Sequence, residues 1–397
     1  MNTCHRRGLL VAVIATILAS PLARAELPSL QPFQTLEPTP DEVSPDPQQP
    51  PQTVFFGSSV ALDHSTLLSG MPGIFESEGR VAIFTRNAAG SWARSDTLTA
   101  SDPTRGARFG NHVALAGDRA LIASNTEVYV FSRKTSGWRQ TQKLRFLEPV
   151  SIADLDWNGS LAIVGVGNTS SNGFYAFGLT SAGRLQRIGK FTAHDTAPTD
   201  QFGSHVALSG AIVAIAAPGY NAAQGAAYVF GCSLANGCRE RQKLLANDGA
   251  PHDRFGTSID LVNRVLVVGA PNVDPEFDDT GSLSHSGAGY VFVRPNSEWI
   301  ETQKLRPTLD ESRVYTGLGF EVAVSTKRVL ISSPGVPGVS APKTFLYDWS
   351  GGALVATHTF GQGFHLLVSA ATAIAGDGGS RAGTGFADVY HLPPDRP

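Results

Sequence analysis

A Phe-Gly pair followed by a short apolar strand pattern recurs along this chain, and that repeat limits the fold more than anything else in the sequence. "FGSSVAL" begins at Phe56, "FGNHVAL" at Phe109, "FGSHVAL" at Phe202 and "FGTSIDL" at Phe255. Weaker copies begin near Ile152 ("IADLDWNGSLAIVGV"), at Leu318 ("LGFEVAV") and at Phe364 ("FHLLVSA"). The seven starts are spaced by 53, 43, 50, 53, 63 and 46 residues. Self-similarity at such a period marks an architecture of stacked units, none of which buries its own apolar face alone.

Each unit repeats one internal order. A strand such as "VALSG" (206–210) ends in a turn and is followed by an aliphatic strand such as "RVLVVGAP" (264–271). A variable loop leads to "GAAYVF" (225–230) or "GAGYVF" (287–292), and then to "WRQTQKL" (138–144) or "WIETQKL" (299–305). Short runs rich in Val, Ile, Tyr and Phe, bounded by Gly, Pro, Asn and Asp, read as strands. Four antiparallel strands repeated seven times predict an all-β chain, a seven-bladed β-propeller of four-stranded blades over residues 56–392. The aliphatic strands are continuous apolar runs because inner strands are covered on both faces. Gly at Phe-Gly and Gly-Ala-Pro permits tight turns or close approach between blades. Trp92, Trp138 and Trp299 open outer, half-exposed strands and read as core packing.

The last unit (364–392) supplies three strands and stops, which would leave an open edge. "LQPFQTLEPT" (30–39) resembles "WIETQKLRPT" (299–308). Residues 30–37 are therefore expected to cross back and complete the last blade. The rest of the Pro-rich segment 26–55 reads as extended linker, and 393–397 as a tail.

Residues 1–25 carry Arg6 and Arg7, the apolar run "GLLVAVIATILA" and "ARA" before position 26, the pattern of a cleaved secretory signal. Export to the periplasm, cell surface or medium is expected, without membrane insertion. The formal charge of −3 becomes −6 once Arg6, Arg7 and Arg24 are removed, which argues against nucleic-acid binding. Cys232 and Cys238 flank an Asn-Gly turn in "CSLANGC", and an exported chain would pair them as a disulfide.

The order Phe-Gly, Gly-Ala-Pro, Gly-x-x-Tyr-Val-Phe resembles the FG-GAP repeat of the integrin α-subunit propeller and its bacterial relatives. The resemblance spans 56–392 with the N-terminal strand added. Literal Gly-Ala-Pro stands only at 269–271, with "GMPG" (70–73), "AAPG" (216–219) and "SSPG" (332–335) elsewhere. The resemblance implies extracellular recognition or adhesion, often with Ca²⁺ held between the first two strands of a blade. Those turns here offer one or two oxygens, against the six to eight a hard cation takes, so no cofactor is carried over.

Several clusters remain. The loop "NVDPEFDDTGSLSHSG" (272–287) holds Asp274, Glu276, Asp278 and Asp279. It reads as a solvated insertion, a Ca²⁺ loop or a partner contact, long loops being often functional. Asp102, Asp195 and Asp248 recur at one phase before Phe-Gly and are expected to cap turns. His112, His205 and His365 share a place on first strands facing the axis, and without matched carboxylates they read as buried, hydrogen-bonded histidines. "GDGGSRAGTG" (376–385) opens no helix and so is no phosphate loop. With no nucleophile–base set visible, no catalytic residue is assigned. The expected function is recognition of a protein or glycan through blade-connecting loops. The competing expectation is a polysaccharide hydrolase or lyase with its site in the axial depression.

Overall fold

A computed structural model of the chain describes residues 27–44, 52–167, 172–273, 286–306, 317–335, 341–361, 363, 365–369, 371–377 and 384–394. The expected signal segment 1–25 and the loop residues Asp274, Glu276, Asp278 and Asp279 lie outside them.

Seven antiparallel sheets of four strands each form the molecule. Blade one comprises Val60–Asp63, Thr66–Met71, Arg80–Arg86 and Trp92–Leu98. Blade four comprises Val206–Ser209, Ile212–Ala217, Ala226–Ser233 and Gly237–Leu244. Blade five comprises Ser258–Val262, Val265–Ala270, Ala288–Val293 and Ile300–Leu305. The first strands of neighbouring blades contact one another in a closed ring, so first strands line the axis and fourth strands form the rim.

The ring is closed as the sequence predicts. Gln34–Leu36 pairs antiparallel with Phe386–His391, with Gln34 opposite Val389 and Leu36 opposite Ala387, and becomes the outer strand of blade seven. The Pro-rich segment does more than link. Leu30 N donates to Thr359 O at 2.7 Å on the rim of blade six. Pro40–Val43 forms one helical turn whose Glu42 is buried and paired with Arg94 of blade one. Burial pushes the Glu42 carboxyl up, but Arg94 and the Thr39 N–H outweigh it and hold the group below its ordinary range.

The core is divided among seven clusters, each lying between two blades. The Phe of Phe-Gly sits at the centre of four of them: Phe56, Phe109, Phe202 and Phe255 are at most 1% exposed. Phe202 meets Tyr228 and Phe230 of its own blade at ring separations of 5.3 and 6.2 Å, and Phe255 meets Tyr290 and Phe292 at 5.4 and 5.9 Å. The residue after it must be Gly. At Gly203, φ is +95° and a Cβ would come within 2.1 Å of Gly173 O on the preceding blade. Its N–H donates to Ala216 O in the Gly-Ala-Pro slot at 2.9 Å, and the same bond joins Gly256 to Gly269 O at 2.9 Å. The two halves of the motif thus meet within one blade while its Phe-Gly turn presses on the blade before.

Outer strands are joined by the Gln of the "QKL" pattern. Gln242 Nε2 donates to Trp299 O and its Oε1 accepts from Trp299 N, both at 2.8 Å. Gln142 holds Leu185, Gln303 holds Leu354, and Gln34 of the closing strand holds Trp92 in the same two-point manner. Trp92 and Trp299 are buried and Trp138 packs against a core cluster, as expected of packing residues. Cys232 and Cys238 face each other across the third and fourth strands of blade four and form a disulfide. Among the described residues no helix is long and apolar enough to cross a membrane.

Candidate functional site at the propeller axis

Side chains alternate along a strand, so every second residue of a first strand faces the channel. Three positions after the Phe-Gly start, these residues are Ser59, His112, His205, Ser258 and Glu321; the strand registers add Asp154 and His365. This ring is polar in all seven blades. Two residues further on come Ala61, Ala114, Asp156, Ala207, Asp260, Ala323 and Leu367. An axial cavity of about 290 Å³ is lined by His112, His365, Asp154, Asp156, Asp260 and Glu321 among others.

The carboxylates make specific contacts. Asp154 accepts from its neighbour Leu155 N at 2.7 Å and from Val206 N of blade four at 2.9 Å. Asp156 accepts from Trp157 N at 2.6 Å and from Leu208 N at 2.7 Å. Asp260 accepts from Leu261 N at 2.7 Å and from Val324 N of blade six at 2.6 Å. Each of the three therefore ties its own first strand to that of the next blade. Ser59 and Ser258 do likewise, donating to Gly110 O at 2.8 Å and Gly319 O at 2.9 Å. Glu321 makes no such tie, and among the described residues its carboxylate has no hydrogen-bond partner. His112 Nδ1 lies 3.6 Å from Asp154 Oδ1, and His205 Nδ1 is buried without a partner.

Crowding these groups into one narrow channel shifts their protonation. Burial, reinforced by Asp260, raises Asp156 to about 7 against the two N–H bonds it accepts. Burial raises Asp260 to about 6. Burial together with Asp154 and Asp260 drives Glu321 well above the usual carboxylate range. Burial lowers all three histidines; His365, facing His112 and His205, falls to about 3. The imidazoles therefore stay neutral near neutral pH, Asp156 titrates there, Asp260 titrates about one unit lower, and Glu321 keeps its proton to higher pH than an ordinary carboxylate.

The histidines expected without carboxylate company thus have it: Asp154, Asp156, Asp260 and Glu321 share their cavity. Glu321 was recoverable by counting from Leu318, whereas Asp154 was not, because blade three lacks Phe-Gly and must be aligned from its strand-ending turn. Among the described residues no group of three or more His, Cys, Asp or Glu is arranged to hold a metal ion.

The recurring Asp102, Asp195 and Asp248 are structural, but through other bonds than local turn caps. Asp195 accepts from Tyr228 Oη at 2.9 Å and Lys243 Nζ at 2.8 Å; Asp248 accepts from Tyr290 Oη at 2.9 Å and pairs with Lys304. Asp102 likewise accepts from Lys143 Nζ at 2.8 Å, but there the tyrosine hydroxyl, Tyr129 Oη, donates to Glu127 at 2.6 Å instead. The turn caps are Asp200 and Asp253, which accept from Ala197 N at 2.8 Å and Ala250 N at 2.7 Å.

Comparison with known proteins agrees with this architecture. The FG-GAP repeat family matches residues 92–131, 186–230 and 238–292. Each match runs from the outer strand of one blade to the third strand of the next, so it spans a blade junction. No curated protein matches the chain. Among solved structures, hydrazine synthase of Kuenenia stuttgartiensis shares 12% identity at a TM-score of 0.58, covering 86% of this chain and 97% of that one. A functionally unknown protein from Desulfotomaculum acetoxidans shares 11% at 0.54, covering 80% and 90%. A Lactobacillus plantarum protein shares 14% at 0.50, covering 76% and 87%. At these identities the likeness shows the fold alone. Family repeats spanning three blade junctions, in a ring of seven four-stranded blades, make this chain an FG-GAP repeat β-propeller.

Proposed function

We propose that the protein is an exported recognition module that binds a protein or glycan through its blade-connecting loops. The observation that carries this reading is the use made of the axial aspartates. Asp154, Asp156 and Asp260 each give both oxygens to backbone N–H groups, so the most chemically equipped cavity is occupied with holding blades together. The FG-GAP repeats support a protein-interaction role in general terms. The disulfide fits an oxidising compartment, and with the N-terminal apolar run it supports secretion to the periplasm, cell surface or medium. The first candidate contact is the loop bearing Asp274, Glu276, Asp278 and Asp279, which is also where Ca²⁺ would be sought. The test is affinity capture from envelope and extracellular material on the immobilised protein, with residues 274–279 replaced by Gly and Ser as the comparison. Loss of a specific partner in the replacement supports the loop; retention moves the contact elsewhere on the propeller; capture of nothing defeats the recognition reading.

One observation favours the second reading, a polysaccharide hydrolase or lyase at the axis. Asp156, raised to about 7, is half protonated at neutral pH, as a general acid needs, and Glu321, raised well above the usual carboxylate range, shares the cavity with no side-chain hydrogen bond among the described residues. Against it, the cavity of about 290 Å³ lies at the small end of ligand sites. Turnover of acidic or neutral polysaccharide that disappears in Glu321→Gln would establish this reading in place of the first.

A further inference from the structure

At four junctions neighbouring blades touch at or near the hairpin that joins a third to a fourth strand. Leu234 of blade four lies against Gly178 of blade three, where a Cβ would come within 2.8 Å of it. Arg119 of blade two donates to Gly183 O in the hairpin of blade three at 2.6 Å. Arg133 of blade two reaches Thr66 of blade one at 3.3 Å, and Arg86 of blade one reaches His391 of blade seven at 3.4 Å. Between blades four and five, the hairpin before Trp299 leaves a crevice of about 1050 Å³ instead.

Three arginines line that crevice: Arg239 and Arg241 on the outer strand of blade four, and Arg294 across from them. Among the described residues none of the three has an ion pair or a side-chain hydrogen bond, and Arg294 Nε is buried without a partner. Elsewhere Arg94, Arg105, Arg133 and Arg328 each hold a carboxylate. The acid in the lining is Glu298; Glu240, next to Arg239, is taken by His194 at 2.8 Å. Arg241 lies over Gly231, where a Cβ would come within 3.0 Å of its Nε, and the Arg294 guanidinium sits 5.6 Å from the Trp299 ring centre. Two of the guanidinium groups are thus placed by packing before any ligand arrives, on a chain whose overall charge is negative.

We propose that this crevice docks an acidic polypeptide segment of the partner in extended conformation; the inference rests on the recognition reading and names its ligand. Guanidinium forks pair with carboxylates at two points, which favours a carboxylate-bearing ligand over a diffuse anion. The strand Gly237–Leu244 that lines the crevice is a sheet edge with no strand beyond it among the described residues, the surface an extended segment can pair with. A sugar chain is the poorer fit, because Trp299 is 4% exposed and offers no free aromatic face for a ring to stack on.

The test is fluorescence anisotropy of the protein with a labelled ten-residue peptide of alternating Glu and Val. The comparison ligands are the same peptide with Lys for Glu, and a uronic-acid oligosaccharide. The acidic peptide is expected to bind saturably, to weaken with added salt, and to bind better than both comparisons. In R239A/R241A/R294A the affinity should fall at least about tenfold, whereas K134A/R139A/R187A, which removes three exposed cations from the rims of blades two and three, should leave it unchanged. R239Q/R241Q, altering exposed side chains only, should show a smaller loss with the fold retained. Equal loss in both triple variants, no saturable binding, or tighter binding of the oligosaccharide overturns the proposal. Capture of a partner by the protein that R239A/R241A/R294A does not disturb overturns the proposal too, while leaving the recognition reading standing.

Discussion

Gly203 shows what the repeat constrains at the level of one residue. Two separate demands fall on it: φ of +95°, which L side chains avoid, and a carbonyl of the preceding blade 2.1 Å from where a Cβ would stand. Gly210 meets only the first, with φ of +61° and nothing within 4 Å of its Cβ position. Gly210→Ala should therefore cost about 1 kcal/mol, the conformational penalty alone. Gly203→Ala should cost clearly more, on the order of 2–4 kcal/mol, because backbone of two blades must separate. Thermal or urea unfolding of the two variants measures the difference, and equal losses would refute the inter-blade account. The sequence shows that Phe-Gly recurs and that a turn or a close approach explains the Gly. It does not show that both hold, since Gly173 is 30 positions away in the chain and only the ring brings it there.

Among elements, the outer strands are where the chain's two ends become one fold. The alternation in "FQTL" matches that in "ETQKL" closely enough to place Gln34 in the slot of Gln303, and the structure gives both the same two-point bond to the next blade. That element was legible because its pattern is local. The anchor behind it was not: Glu42 and Arg94 are 52 residues apart, and no periodicity links a one-turn helix to the rim of blade one. Gln34→Ala leaves the N–H and C=O of Trp92 without their partner and should lower stability by about 1–3 kcal/mol. Deleting residues 27–39 removes the outer strand of blade seven and should do far more, exposing Phe386–His391 as an unpaired edge. Limited proteolysis should then cut first within 365–392, with a lowered and broadened unfolding transition. An unchanged transition would mean that the ring does not depend on this strand for closure.

For the whole molecule, the axis sums contributions from every blade, and this is why its chemistry was only half legible. Three histidines stood out as a residue type, but the acids opposite them emerge only when all seven first strands are set in register around a ring. The register matters for stability because the axial groups titrate in opposite senses. Asp156 and Asp260, raised from 3.8 to about 7 and about 6, bind protons more tightly folded than unfolded. Their effect is to make stability rise as pH falls from about 8 toward 4. His365, lowered from 6.5 to about 3, binds its proton more weakly folded than unfolded, and His112 and His205 are shifted the same way. Their effect is to remove stability as pH falls below 6.5. Above about pH 6.5 only the carboxylates act, so the unfolding midpoint should climb as pH is lowered from about 8 to 6.5 and then level off where the two sets oppose each other. Asp156→Asn with Asp260→Asn should reduce the climb, leaving the part that Glu321, shifted in the same direction, contributes. His365→Gln should remove part of the opposing set, so that the midpoint continues to rise below pH 6.5. Calorimetric scans of the three proteins between about pH 5 and pH 8 decide it. A climb that persists unchanged in the double Asn variant would show that the axial aspartates do not carry the pH dependence.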